Sequence, residues 1–90
     1  MAVVSIVMPV YNGEKYLKCQ LDSILNQTHK NIRLLINDDC STDNTRVILK
    51  EYEEKDDRIK VKYNEKNLGY VKNFEDLLKR VENKYFALSD

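Results

Sequence analysis

Glycine is scarce in this chain, with only Gly13 and Gly69 among ninety residues. That scarcity excludes a phosphate-cradling turn of the dinucleotide type, because backbone donors approach a pyrophosphate closely only where several glycines open the first turn. The corresponding turn reads Tyr11-Asn12-Gly13-Glu14 and lacks the pattern. A surplus of either charge is also missing: 15 Lys and Arg balance 15 Asp and Glu, so no net field draws the chain toward nucleic acid or an anionic membrane. The two cysteines, Cys19 and Cys40, fit neither a disulfide framework nor a zinc pattern and read as small buried or half-buried residues. Together with the lack of a leader-like opening they point to a reducing, cytoplasmic compartment. The one histidine, His29, stands alone in a polar loop and reads as a surface residue. The apolar opening from Ala2 to Val10 is too short to cross a bilayer and ends at Pro9, where a missing backbone donor does least harm, so it reads as a strand.

What remains is an alternation of strands and helices without repeat, linker or low-complexity segment. A chain of this length buries only roughly 60 to 65% of its unfolded surface, which allows one domain with a thin core. The β-branched run Val3 to Val10 is the first strand. Asn12 is placed to cap a helix whose Leu17, Leu21, Ile24 and Leu25 form one apolar stripe, with Lys15, Lys18 and Asp22 on the wet side. Ile32 to Asn37 is the second strand, and a helix from about Asn44 to Glu54 should turn Val47, Ile48 and Tyr52 inward. Ile59-Lys60-Val61-Lys62-Tyr63 alternates apolar and charged residues, as a strand with one covered face does. A turn-rich loop follows, then a helix from near Tyr70 with Phe74, Leu77, Leu78 and Val81 at helical spacing. Tyr85 to Leu88 is expected to be a fourth strand.

The expected order is β-α-β-α-β-α-β, an α/β chain whose right-handed crossovers place the strands parallel in one sheet. All strand ends then share a rim, and ligands of open parallel sheets bind outside such ends. The stretch Leu34-Leu35-Ile36-Asn37-Asp38-Asp39-Cys40-Ser41-Thr42-Asp43 is the focus, since a buried strand stops there at two adjacent carboxylates. Tyr11 and Asn12, Asp38 and Asp39, Asn67 and Gly69, and Asp90 should converge on this rim. Acidic strand ends suit the donor edge of a base or ribose hydroxyls, with a divalent cation offsetting phosphate charge. Tyr11 offers a ring for the base to stack on. The plainer reading is that Asp38 and Asp39 end a strand and favour the next helix dipole, that Asp43 starts that helix, and that Tyr11 packs. Since neighbouring side chains on a strand alternate, one aspartate of the pair should point away from the crevice. Tyr16, Tyr52, Tyr63 and Tyr70 read as core or rim.

Val4-Ser5-Ile6-Val7-Met8-Pro9-Val10-Tyr11-Asn12, then Leu25-Asn26-Gln27-Thr28, then Asn37-Asp38-Asp39-Cys40-Ser41-Thr42-Asp43 resemble the amino-terminal part of a family 2 glycosyltransferase with the GT-A fold. Asn67-Leu68-Gly69 and Tyr85-Phe86-Ala87-Leu88-Ser89-Asp90 extend the resemblance over nearly the whole chain. It implies a Rossmann-like nucleotide-binding half, in which Pro9, Tyr11, Asn12 and the aspartate pair line the nucleotide pocket. By the same resemblance Tyr11 stacks on the base, Asp39 accepts its ring N–H, and Asn67 to Gly69 lies near the ribose or diphosphate. Asp90 falls where the family's Asp-x-Asp motif begins, which holds a Mg²⁺ or Mn²⁺ bridging the diphosphate; its second acid would be residue 92.

The expected donor is therefore a UDP- or dTDP-sugar, the acceptor is unknown, and the setting is cell-surface polysaccharide synthesis, in the cytoplasm or at the inner membrane face. An inverting transfer needs a base and a cation for the leaving diphosphate, so the ninety residues read as an inactive piece of a transferase that binds no metal by itself. The competing expectation is a non-catalytic nucleotide-binding or interaction module, self-associating into a homo-oligomer through an exposed sheet edge. A phosphoacceptor receiver domain is disfavoured, since its acidic pair would follow the first strand, where Tyr11-Asn12 stands.

Overall fold

The β-branched opening and the second apolar run do pair as strands. The computed structural model of the chain describes residues 3–27 and 31–89, with side chains described as far as Val81. Its elements are β1 (Val4–Val10), α1 (Leu17–Leu25), β2 (Ile32–Asp38), α2 (Thr45–Lys55), β3 (Ile59–Tyr63) and α3 (Tyr70–Ser89). The sheet runs β1-β2-β3 and both pairings are parallel, Val10 standing opposite Asp38 and Asp38 opposite Tyr63. Three strand ends therefore finish level on one rim.

β2 is central, and its residues are buried on both faces. Leu34 and Ile36 join Met8, Val10, Ile59, Leu17, Leu21, Ile48 and Leu49 in the core under α1 and α2. Leu35 and Asn37, which alternate with them, lie on the opposite face beneath α3, where Asn73 and Leu77 are also buried. Tyr52 ties the two helices of the first layer by donating its hydroxyl to Asp22 at 2.7 Å, and that bond, with burial, pushes the phenol up to about 12.

The elements and their buried faces depart from expectation at several points. The fourth strand is absent: residues 85–88 lie within α3, so the order is β-α-β-α-β-α. Glu82-Asn83-Lys84 holds no glycine or proline to stop the helix, and Leu77, Val81, Tyr85 and Leu88 repeat at i, i+4, i+8 and i+11. A four-residue apolar run cannot by itself distinguish a strand from the continuation of that stripe. Asn12 does not cap α1, which starts at Leu17 after Tyr16 with no side-chain cap; Asn12 instead adopts φ +49°. On α2, Val47 is exposed, and Leu49 takes the inward position beside Ile48. On α3, Leu78 is exposed while Leu77 is buried.

Two carboxylates brace the fold through ion pairs. The Arg58 guanidinium, 2.7 Å away, holds the Asp56 carboxyl below the ordinary carboxylate range. Burial alone would raise Asp76, but hydrogen bonds from Lys62 at 2.9 Å and Asn37 at 2.7 Å outweigh it and leave this carboxyl lowered too. A carboxyl depressed in the folded state adds stability above its unfolded pKa and withdraws it as pH falls through the folded value. The urea midpoint is therefore expected to hold near neutrality and to drop as pH falls below about 4; an unchanged midpoint down to about pH 2.5 would contradict these pairings.

Candidate functional site

The pleat decides what the two aspartates do. Asp38, the last residue of β2, shares the face of Leu34 and Ile36 and is fully buried toward α2. Its carboxylate accepts from Arg46 Nε at 2.8 Å, from the Ser41 N–H at 3.2 Å and from the Ser41 hydroxyl. Asp39 points the other way. Its backbone N–H still donates to the Val10 carbonyl at 2.9 Å, extending the ladder one residue past the strand. Its Oδ1 accepts from the Leu68 N–H at 2.7 Å and Asn64 Nδ2 at 3.2 Å, and its Oδ2 accepts from the Gly69 N–H at 2.9 Å. A carboxylate offers about four acceptor positions, so three donors leave one open on Oδ2.

Left-handed backbone shapes the loops around it. Cys40 turns the chain at φ +63°, its thiol donating to the Asn64 carbonyl at 3.1 Å. Gly69 stands at φ +83°, a conformation in which glycine avoids the steric cost of a Cβ, and a Cβ there would meet nothing within 4 Å. The turn after β1 is zipped to the turn after β2: the Asn12 N–H donates to Ser41 Oγ at 2.8 Å, and Asn12 Oδ1 accepts the Thr42 N–H at 2.8 Å. The Gly13 N–H adds a bond to Thr45 Oγ1 at 2.8 Å. Asp43 accepts the Thr45 N–H at 3.0 Å and so serves the start of α2, as its plainer reading had it.

Pro9, Tyr11, Asp39, Asn67 and Gly69 meet around one cavity of about 360 Å³. Two other candidates stand apart from its lining. Asn12 braces the rim from behind, and Asp38 is consumed by Arg46 and Ser41. Asp90, the expected metal ligand, lies outside the described residues. Among the described residues, no group of three His, Cys, Asp or Glu side chains is placed to hold a metal ion.

Val10, Tyr70 and Asn73 also line the cavity and were not among the site residues that sequence reasoning named. Tyr70 had a usable signal, because it directly follows Gly69 and opens α3. Asn73 had none, since an asparagine inside an amphipathic helix reads as a wet residue whereas this one is 2% exposed.

Residues 5–90 match the family model described as glycosyl transferase family 2. A Bacillus subtilis (strain 168) protein named as a teichuronic acid biosynthesis glycosyltransferase is 41% identical over 88 residues, 98% of this chain and 35% of its own. The Escherichia coli UDP-Glc:alpha-D-GlcNAc-diphosphoundecaprenol beta-1,3-glucosyltransferase is 40% identical over 88 residues, again 98% of this chain and 34% of its own. The chain thus spans about a third of the length of these two relatives.

Proposed function

We propose, from the premise that this chain belongs to glycosyl transferase family 2, that its cavity holds the nucleotide of a nucleotide-diphosphate-sugar. In the longer protein that sugar would pass to an acceptor hydroxyl in polysaccharide synthesis. The observation that carries the reading is the meeting of Tyr11, Asp39 and the 67–69 loop at one cavity, with an acceptor position still open on Asp39. That position wants a donor. Uracil and thymine present a ring N–H between two carbonyls, whereas cytosine presents a bare ring nitrogen there, so the carboxylate favours a UDP- or dTDP-sugar. The E. coli relative, whose name gives UDP-Glc as donor, supports this choice.

Tyr11 gives the base a face to lie on. Asn67 and Gly69 flank the ribose side, and α3 begins immediately beyond. Its first intrahelical donor is the Asn73 N–H to the Gly69 carbonyl at 3.0 Å, which leaves the preceding helical N–H groups ahead of the ladder and facing the loop end. A diphosphate is favoured at such a helix start.

Asp39 is the cavity's one carboxylate among the described residues, and neutral donors already engage it. On this reading the cavity binds and orients a donor. A Mg²⁺ or Mn²⁺ on the diphosphate is part of the same reading, with Asp90 as one ligand. The described residues make no cation site by themselves. No described helix is long and apolar enough to cross a membrane. Two free cysteines agree with a cytoplasmic setting, at the inner membrane face in the longer protein.

The test is discrimination between two diphosphates of the same charge. Titrated into the isotope-labelled chain, UDP is expected to shift the amide signals of Asp39, Leu68 and Gly69 and to bind at least about tenfold more tightly than CDP, the worth of one hydrogen bond to a charged group. Equal affinities would remove Asp39 from base recognition and the reading with it.

A further inference from the structure

Two large aromatic side chains of this small chain sit mostly in water although the core could use them: Tyr11 is 51% exposed and Tyr70 is 73% exposed. They come from distant segments, the end of β1 and the start of α3, yet both line the cavity that contains Asp39. Tyr70 is also held in place. Its ring lies parallel to that of Phe74, one turn on, at 1° between planes and 6.4 Å between centroids, which biases the ring's orientation before any ligand arrives. The left-handed Gly69 sets the direction in which α3 departs, at φ +83°.

A planar ring seated on Tyr11 with its edge at Asp39 keeps its second face toward the remaining walls, and among those walls Tyr70 is the side chain able to cover a flat surface. Asn67 and Asn73 are committed to hydrogen bonds, Asn67 to the Asp39 carbonyl and the Gly69 N–H, and Asn73 to Asn64 and Asn37. We infer that Tyr70 is a base-binding residue that stacks on the face opposite Tyr11, so that the nucleobase is clamped between two tyrosines. The inference rests on the nucleotide reading of the cavity and adds a residue and a consequence to it. Stacking needs only a π face, so the clamp supplies affinity without choosing the base. Choice stays with Asp39. The Tyr70 hydroxyl has no part in the clamp, so a phenylalanine at this position should serve equally.

Because Tyr70 is exposed, its replacement leaves the core untouched, and the amide spectrum of each variant checks that the fold persists. Affinities for UDP, uridine and inorganic pyrophosphate are measured on the chain and on Tyr70→Phe, Tyr70→Leu and Asp39→Ala. Tyr70→Phe is expected to bind UDP within about twofold of the parent chain. Tyr70→Leu is expected to weaken UDP and uridine by the same factor, about tenfold, and to leave pyrophosphate unchanged, because the lost contact is with the base alone. The uracil H5 and H6 signals should also lose part of their upfield ring-current shift in Tyr70→Leu. If Tyr70→Leu binds UDP as the parent does while Asp39→Ala fails to bind, the clamp is wrong and the nucleotide cavity stands. If Tyr70→Leu weakens pyrophosphate as much as uridine, the residue acts on the loop and not on the base, and the clamp is again wrong. If the parent chain binds neither UDP nor uridine, the clamp falls together with the reading beneath it.

Discussion

Asp39→Ala is expected to lower UDP affinity at least about thirtyfold and to destabilise the chain by about 2–4 kcal/mol. Both effects have one origin. The carboxylate is 3% exposed and accepts from the N–H groups of Leu68 and Gly69 and from the Asn64 amide, so it pins the whole 64–69 loop against the end of β2. Removing it leaves the Asn64 amide with one acceptor fewer in a buried position and frees the loop that carries Asn67, Gly69 and Tyr70 into the cavity. Hydrogen bonds to a charged group contribute about 1.5–3 kcal/mol each, and the two loop N–H groups recover part of theirs from water, which sets the lower end of the range. Asp39→Asn separates the two effects. It keeps the shape and one acceptor oxygen, so stability should fall by only about half as much; yet an amide N–H₂ faces either a loop N–H or the base N–H, and UDP affinity should drop nearly as far as in the alanine variant. Calorimetric titration and urea unfolding on both variants read these quantities directly. An Asp39→Asn chain that bound UDP like the parent would show that no base N–H reaches this carboxylate.

That the aspartate pair ends on the rim, and that one of the two turns away, was legible before any coordinates; Asp38 was nonetheless expected in the pocket, and the cavity lining does not include it. Parallel strands with level ends put residues 10, 38 and 63 on one rim, and the pleat sends neighbours to opposite faces. Which aspartate faces the cavity needed the helices: α2 brings Arg46 to Asp38, and the loop before α3 brings two N–H groups to Asp39. Asn12 was named for the right region and the wrong task. Its side chain holds the Thr42 N–H across thirty residues of sequence, a bond between two loops that no local pattern encodes. The lost fourth strand shows the converse. The apolar run at 85–88 fits strand and helix patterns alike, and the uninterrupted helical spacing upstream carries α3 through it. Tyr70 escaped because exposure is invisible to hydropathy periodicity, which reports an aromatic residue at a helix start as ordinary rim.

Asn37 was the least legible residue of all, and its loss should be among the most damaging. Between Ile36 and Asp38 it reads as the polar end of a strand, but it is fully buried between β2 and α3. Its Oδ1 accepts from Arg80 Nη1, which also reaches the Ile36 carbonyl at 3.0 Å, and its Nδ2 donates to Asp76 at 2.7 Å. Its backbone carbonyl takes Asn73 Nδ2 at 3.3 Å, while Asn73 Oδ1 holds the Asn64 amide that reaches Asp39. Burial lowers the pKa of Arg80, a sign that this guanidinium is poorly solvated and depends on its acceptors. Asn37→Leu fills the volume but strips an acceptor from a half-buried cation and a donor from Asp76, and the expected cost is about 2–4 kcal/mol. A chain of this length has only about 5–13 kcal/mol of net stability, so the urea midpoint should fall by a large fraction. Replacing both partners is the discriminating measurement: Asn37→Leu with Arg80→Met removes the cation along with its acceptor and should recover part of the loss. UDP affinity should fall only a few-fold in Asn37→Leu, because Asp39 keeps its three donors and feels the change through two intervening amides. A double variant less stable than the sum of the two single losses would mean that the polar network under α3 does not act as the paired unit its hydrogen bonds describe.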